Sequence, residues 1–170
     1  KMILFDVDAT LLHAHGAGGL AMEQAGIELF GDHFSVRSLN FGGSLDAVMY
    51  RKAAELNAID DHDEHHDRFR DTYLIKLQSF LASPDAHVIA LPGIHDVLST
   101  LRRRRDERGD VVLGLLTGNY AAATPIKLKA ADIDPDWFTL GAFGDEGQIR
   151  ADLTALAMQR YAQQYGREID

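Results

Sequence analysis

The stretch Ile3-Leu4-Phe5-Asp6-Val7-Asp8-Ala9-Thr10-Leu11-Leu12 decides how the rest of the sequence is interpreted. Its first residues are apolar and favour a β-strand, which runs into two aspartates. Because alternate side chains of an extended strand project to the same side, we expect Asp6 and Asp8 to point together. Two carboxylates this close repel each other unless a cation or a shared proton lies between them, so the pair is a candidate metal and acid/base site. The alternative is that both aspartates only end the strand and cap the following turn.

The composition is that of a folded chain with a sizeable core. Of the 170 residues, 46% are hydrophobic and 25% are charged, which suffices for one domain or for a core with a modest insertion. The formal net charge of -9 argues against a general nucleic-acid binder. No apolar run approaches the roughly 20 residues that span a bilayer. The sequence also has no cysteine, so we expect a cytoplasmic protein without membrane or nucleic-acid partners. Nothing in the sequence indicates an oligomeric state.

Residues 16–83 carry helical periodicity and no strand pattern. A first helix is expected from residue 21 to Phe30, with Gly31 stopping it. Apolar residues recur at helical spacing in two further stretches, Leu45, Val48, Met49, Ala53 and Leu56 in one and Phe69, Tyr73, Leu77 and Leu81 in the other. The acidic, histidine-rich residues 60–67 are expected to form the solvated start of the third helix rather than a metal site. The segment therefore predicts a small helical bundle.

The remaining sequence alternates strands and helices. The apolar run 111–116 is typical of a strand buried on both faces of a parallel sheet, and residues 137–143 indicate a third strand. Helices are expected after residue 94, over residues 120–131 and around Leu153 to Tyr161. This alternation predicts a parallel α/β domain, in which ligands bind beyond the carboxyl ends of the strands. Asp6, Asp8 and Thr117 all lie at such ends, so we expect them to converge.

Two short motifs resemble those of the haloacid dehalogenase (HAD) superfamily of phosphohydrolases. Residues 5–12, FDVDATLL, resemble its D-x-D-G-T-L signature, with Ala9 where glycine is usual. A positive φ at Ala9 would strain the backbone. Residues 115–119, LLTGN, resemble the second motif, in which Thr117 would bind a phosphate oxygen at the start of a helix.

The third motif of the superfamily contributes a cation, usually lysine, at the start of a later helix. Residues 143–153 look like this motif with Arg150 in place of lysine. An arginine there can brace both the phosphate and the nucleophile through its planar fork. Lys127 and Lys129 are the other candidates, but they fall in the helix directly after Thr117, where the family position does not match.

The resemblance implies a HAD-like, Rossmann-type parallel sheet core with an inserted helical cap. The core would comprise residues 1–15 and 84–170, and the cap residues 16–83. Asp6 would attack phosphorus, Asp8 would act as acid and then base, and Thr117 and Arg150 would complete the catalytic set. Mg²⁺ would bridge Asp6, the backbone carbonyl of Asp8 and a phosphate oxygen. The substrate would be bound by Thr10, Gly43, Ser44, Gly118 and Asn119, and Asp46 belongs with Gly43 and Ser44 to what resembles the substrate-specificity loop.

The function implied is a Mg²⁺-dependent phosphatase of a small phosphorylated metabolite, similar to phosphoglycolate phosphatases. A phosphomutase of the same superfamily and a non-catalytic domain that binds a phosphometabolite or a partner are the alternatives. The fourth motif, an acidic pair after another strand, is not found in these 170 residues. We therefore expect the native polypeptide to continue beyond Asp170 with a strand that pairs with the open edge of the first strand.

Overall fold

The computed structural model describes residues 1–166 and shows a mixed α/β fold. The strands are β1 (Met2–Phe5), β2 (Leu12–His13), β3 (Ile89–Ala90), β4 (Val112–Leu116) and β5 (Leu140–Ala142). The helices are α1 (Ala17–Phe30), α2 (Asp46–Leu56), α3 (His62–Leu81), α4 (Ile94–Arg108), α5 (Ala123–Ala130) and α6 (Arg150–Tyr165), with a 3₁₀ turn at Pro135–Trp137. No helix within residues 1–166 has the length and apolar character needed to cross a membrane.

A three-stranded parallel sheet forms the centre of the fold, in the order β1-β4-β5. The register pairs Met2 with Val112 and Gly114 with Leu140. Strand β4 lies in the middle and is buried along almost its whole length, as expected of a parallel strand covered on both faces. Helices α4 and α6 pack on the sheet. The predicted parallel α/β architecture is confirmed, and it brings the carboxyl ends of β1 and β4 to one edge.

Helices α1 and α2 both pack against α3, and α3 also contacts α5. The four-residue spacing predicted the buried face of α3 correctly, because Phe69, Tyr73 and Leu77 are all buried. Residues 60–67 do contain the start of this helix, which begins at His62. The division into a core and a cap of residues 16–83 stays a prediction, and the last four residues of the predicted core range, 167–170, lie outside the described residues.

A short antiparallel ladder that the sequence did not predict joins the two segments leading into and out of α1–α3. It pairs Leu12 with Ala90 and His13 with Ile89. The backbone N–H of Leu91 extends it by donating to the carbonyl of Leu11 at 2.9 Å. The two segments that connect α1–α3 to the rest of the chain are therefore hydrogen-bonded to each other.

Three element boundaries differ from the prediction, and the first is the start of α1, which lies at Ala17 rather than at residue 21. The third strand is only β5, because Asp134 accepts the backbone N–H of Asp136 and Pro135 starts a 3₁₀ turn where a strand was expected. Helix α5 begins at Ala123 rather than at residue 120, and the backbone N–H of Tyr120 donates to the side chain of Asp46.

Ala9 occupies the left-handed region with φ 58°, so this chain adopts the backbone that the signature usually gives to glycine. An L-residue in this region costs about 1–2 kcal/mol of stability. Glycine avoids this cost, but its greater freedom in the unfolded chain lowers the free energy of unfolding by about 0.4–1 kcal/mol. We therefore expect Ala9→Gly to raise the free energy of unfolding by about 0.5 to 1 kcal/mol in urea titrations. The control is Ala82→Gly: Ala82 is exposed with φ -85°, so glycine there should lower stability by roughly 0.5 kcal/mol. A lower free energy of unfolding in Ala9→Gly would contradict the presence of backbone strain at Ala9.

Candidate active site

A cleft of about 380 Å³ opens at the carboxyl ends of β1 and β4. It brings together most of the site residues predicted from the sequence: Asp6, Asp8, Gly43, Ser44, Thr117, Gly118, Asn119 and Arg150. Thr10 is exposed and lies outside the cleft lining. Residues from the start of α1, from Gly16 to Gly19, close the opposite wall together with Met22 and Phe41.

The side chain of Asp6 uses both oxygens inside the chain's own network. Its Oδ1 accepts the backbone N–H of Val7 at 2.8 Å, and its Oδ2 accepts a short hydrogen bond from the guanidinium of Arg150. The two side chains remain partly exposed, with 31% of Asp6 and 35% of Arg150 accessible. The pair therefore faces the cleft with a carboxylate already oriented by a cation.

Arg150 is the first residue of α6, where a cation is unfavourable with respect to the helix dipole. The helix start is fixed by Asp152, whose carboxylate accepts the backbone N–H groups of Ile149 at 3.0 Å and Gln148 at 2.8 Å. These backbone hydrogen bonds hold the pKa of Asp152 below its usual range. Asp152 thus fixes the start of the helix that carries Arg150. It also supplies the negative charge that this end of the helix favours.

Asp8 is held by two donors that reach the same oxygen. The Nζ of Lys127 lies 2.7 Å and the Nδ2 of Asn119 lies 2.8 Å from Oδ2 of Asp8. Asn119 Nδ2 also donates to Oγ1 of the fully buried Thr117 at 2.8 Å. Because Thr117 accepts this bond, its own hydroxyl hydrogen remains available to a ligand.

Lys127 was set aside by the sequence argument, yet it lies in the cleft and is only 4% exposed. One signal was present in the sequence. Lys127 shares a helical face with Ala123, Thr124 and Leu128, all of them buried. A lysine on the buried face of a helix requires a partner, and here the partners are Asp8 and Asn119. The histidines His13 and His15 also line the cleft, and their stacked ring centroids lie 5.0 Å apart.

The loop before α2 crosses directly over the loop after β4. The backbone N–H of Asp46 donates to the carbonyl of Gly118 at 2.7 Å. The backbone N–H of Gly144 donates to the carbonyl of Asn119, also at 2.7 Å. A Cβ atom at Gly118 would overlap the carbonyl oxygen of Ser44. Gly118 is therefore required by close backbone approach, and the crossing places Gly43 and Ser44 beside Thr117.

Asp46 has an unusually high pKa for a carboxyl group. Burial raises its pKa to about 6, opposed by the charge of Lys127 and the backbone N–H of Tyr120 and reinforced by the charges of Asp8 and Asp145. The neighbouring Tyr73 hydroxyl has its pKa raised well above the usual value, again chiefly by burial. Asp46 thus loses its proton less readily in the folded protein than in the unfolded chain.

This shift predicts a pH dependence that Asp46→Asn removes. Between the ordinary pKa of 3.8 and about 6 the unfolded chain ionises Asp46 while the folded protein keeps the proton, so wild-type stability falls as pH rises through this window. We expect Asp46→Asn to gain of the order of 1 kcal/mol relative to wild type between pH 4.5 and pH 7.5 in urea titrations. Asp60→Asn, at an exposed position, should show no such trend. A difference that shrinks as pH rises would contradict the assignment.

The donor set of the cleft fits a Mg²⁺ ion. Within residues 1–166 no group of three or more histidine, cysteine or carboxylate side chains gathers at one point. Mg²⁺, however, is commonly held by one or two carboxylates and completed by waters and substrate phosphate oxygens. Asp6 and Asp8, on one strand end of the cleft, provide oxygen donors of this kind.

Solved structures of other proteins share the fold of this chain. No protein-family model matches the sequence, and no curated protein matches it. A hydrolase from Pseudomonas syringae superposes with a TM-score of 0.65 at 20% sequence identity, covering 100% of this chain and 72% of that chain. CbbY from Rhodobacter sphaeroides, solved in complex with phosphate, matches with a TM-score of 0.65 at 18% identity, covering 94% of this chain and 71% of its own.

A predicted phosphoglycolate phosphatase from Haemophilus somnus also matches, with a TM-score of 0.59 at 15% identity, covering 98% of this chain and 72% of that one. Similarity at these identities shows the fold alone. The chain has the HAD-like α/β fold, and this part of the sequence prediction is confirmed.

Proposed function

We propose that the protein is a Mg²⁺-dependent phosphatase that hydrolyses a small organic phosphate monoester through an aspartyl-phosphate on Asp6. The observation that carries the proposal is the convergence of two differently held carboxylates at one strand end. Asp6 is paired with Arg150, and Asp8 is held through one oxygen by Lys127 and Asn119. The HAD-like fold supports the proposal, because similar solved structures include a hydrolase and a predicted phosphatase.

In the first step a carboxylate oxygen of Asp6 attacks phosphorus, and the bond from phosphorus to the alcohol oxygen breaks. Asp8 donates a proton to that leaving oxygen. In the second step water attacks the aspartyl-phosphate and releases inorganic phosphate, while Asp8 takes the proton of the water. The two carboxylates are suited to separate roles, because Asp6 lies against a guanidinium and Asp8 keeps 47% of its side chain accessible.

The remaining groups bind and orient the phosphate. The hydroxyl of Thr117 and the guanidinium of Arg150 donate to its oxygens, and Gly118 lets the backbone of the loop approach closely. Asp6 and Asp8 would hold Mg²⁺, which supplies charge to offset the repulsion between the carboxylates and the anionic substrate when bound.

We further propose that α1–α3 act as a mobile cap over the cleft. Residues at the start of α1 line the same cleft as Asp6 and Asp8, and the two segments that connect these helices to the rest of the chain pair with each other in the β2–β3 ladder. A closing movement of the helices about these two connecting segments would exclude water while the substrate is bound. The volume of about 380 Å³ suits a small phosphorylated metabolite.

The function is tested by phosphate release from p-nitrophenyl phosphate and from a panel of metabolite monoesters, with Mg²⁺ and with EDTA. We expect turnover with Mg²⁺, loss in EDTA and recovery when Mg²⁺ is restored. Isomerisation of a sugar phosphate without release of free phosphate would instead indicate a mutase. Binding of a phosphorylated metabolite in calorimetry without any turnover would contradict the enzyme and favour a binding domain.

A further inference from the structure

We infer that Lys127 is a positioning residue for Asp8, fixing which carboxylate oxygen exchanges a proton with the substrate. This role rests on the proposed function, in which Asp8 is the acid and base. It adds a residue that neither the resemblance nor the motif positions assign. Lys127 acts through Asp8 and Asn119, and its own contact with substrate is not required.

The contacts of Asp8 are asymmetric. Lys127 Nζ at 2.7 Å and Asn119 Nδ2 at 2.8 Å both donate to Oδ2. Oδ1 receives no hydrogen bond from the described residues. Since 47% of the Asp8 side chain is accessible and the residue lines the cleft, Oδ1 is the oxygen left for proton transfer. Holding one oxygen with two donors removes the rotation that would exchange the two oxygens.

Lys127 also contributes to the orientation of Asn119. An ammonium group has only donors, so Asn119 must turn its carbonyl Oδ1 towards Lys127, and these two atoms are hydrogen-bonded. The amide Nδ2 of Asn119 then necessarily faces Asp8 and Thr117. The ionised Asp8 carboxylate only accepts hydrogen bonds and favours the same orientation, so Lys127 and Asp8 hold the amide from its two ends. Lys127 therefore organises the acid/base residue and the phosphate-binding threonine together.

The position of Lys127 supports a role in the site rather than in bulk packing. Lysine is rarely buried as deeply as 4% exposure because its charge must be compensated. Here the compensation comes from two cleft residues, Asp8, which lies 119 positions earlier in the chain, and Asn119, which lies 8 positions earlier. Lys129, two residues further along α5, is exposed and offers a matched control.

A double-mutant cycle tests the inference on an aryl and an alkyl phosphate. We expect Lys127→Met to lower kcat by about 10- to 100-fold with KM changed by less than about threefold, because a misplaced acid/base group impairs chemistry more than binding. The fall should be larger for the alkyl phosphate, whose poor leaving group needs the proton from Asp8. In an Asp8→Asn background, Lys127→Met should cost less than about threefold more. Lys129→Met should behave as wild type.

Additive effects of Lys127→Met and Asp8→Asn would overturn the inference, because Lys127 would then act independently of Asp8. A KM effect as large as the kcat effect would overturn it as well and assign Lys127 to substrate binding. Circular dichroism and thermal melting check folding, and Lys127→Gln replaces Lys127→Met if the latter unfolds. Unfolding of both variants would assign Lys127 to stability and also contradict positioning. A wild type without turnover would refute the proposed function itself, a result distinct from all of these.

Discussion

Asp6→Asn is expected to abolish phosphate turnover, lowering kcat by at least about 10³-fold. The amide nitrogen and oxygen of asparagine are not nucleophiles of carboxylate strength, so no acyl phosphate forms. The substitution keeps the size of the side chain and an oxygen that can accept the backbone N–H of Val7. Arg150 loses its charged partner, but the strand end is otherwise preserved. Steady-state release of phosphate at saturating substrate is the measurement.

The control for this substitution is Asp60→Asn, which removes one negative charge at an exposed position. It should retain wild-type kcat within about twofold. Wild-type activity in Asp6→Asn would exclude Asp6 as the nucleophile and with it the proposed mechanism. Equal losses in both variants would indicate that net charge, rather than the nucleophile, determines the rate.

Gly118→Ala is expected to damage both the fold and the site. The new methyl group would overlap the carbonyl oxygen of Ser44, a backbone atom that cannot move aside as a flexible side chain could. The crossing is held by the bond from Asp46 N–H to the Gly118 carbonyl at 2.7 Å, so relief of the overlap must pull the two loops apart. We expect a loss of at least about 2 kcal/mol in the free energy of unfolding and about 10²-fold in kcat, because Thr117 and Asn119 move with the loop.

Gly19→Ala is the matched control for added volume. Its methyl group would meet the ring of Phe41 at 3.7 Å, an ordinary contact, and Gly19 lies inside α1, where alanine is the better helix former. It should not lower the free energy of unfolding. If Gly118→Ala were as stable as Gly19→Ala, the close crossing of the two loops would be wrong.

The convergence of Asp6, Asp8 and Thr117 was predictable, because parallel strands bring their carboxyl ends to one edge whatever the details of packing. Arg150 was identified from the resemblance of residues 143–153 to the third motif, and it does begin the helix that follows β5. The convergence of Asp6, Asp8 and Thr117 follows from the order of strands and helices along the chain, which hydrophobic periodicity indicates.

Lys127 was not predictable in the same way. Which face of α5 meets the cleft depends on how the loop before this helix is held, and Asp46, 74 residues away, binds the backbone N–H of Tyr120 in that loop. The crossing of Gly118 with Ser44 likewise joins segments that no local pattern relates. Periodicity describes each element by itself, whereas these contacts are decided by how loops from different elements pack.

The aspartyl-phosphate itself provides the most direct test of the account. Asp8→Asn enzyme should form it slowly and hydrolyse it more slowly still, since the base for the second step is missing. The measurement is acid quenching during turnover of a phosphate monoester, followed by borohydride reduction or peptide mapping by mass spectrometry to locate the acyl phosphate. We predict a single modified residue, Asp6, in the peptide from β1, and none in Asp6→Asn. Turnover with no trapped phosphoryl group in Asp8→Asn, or a phosphoryl group on any other residue, would contradict the proposed nucleophile.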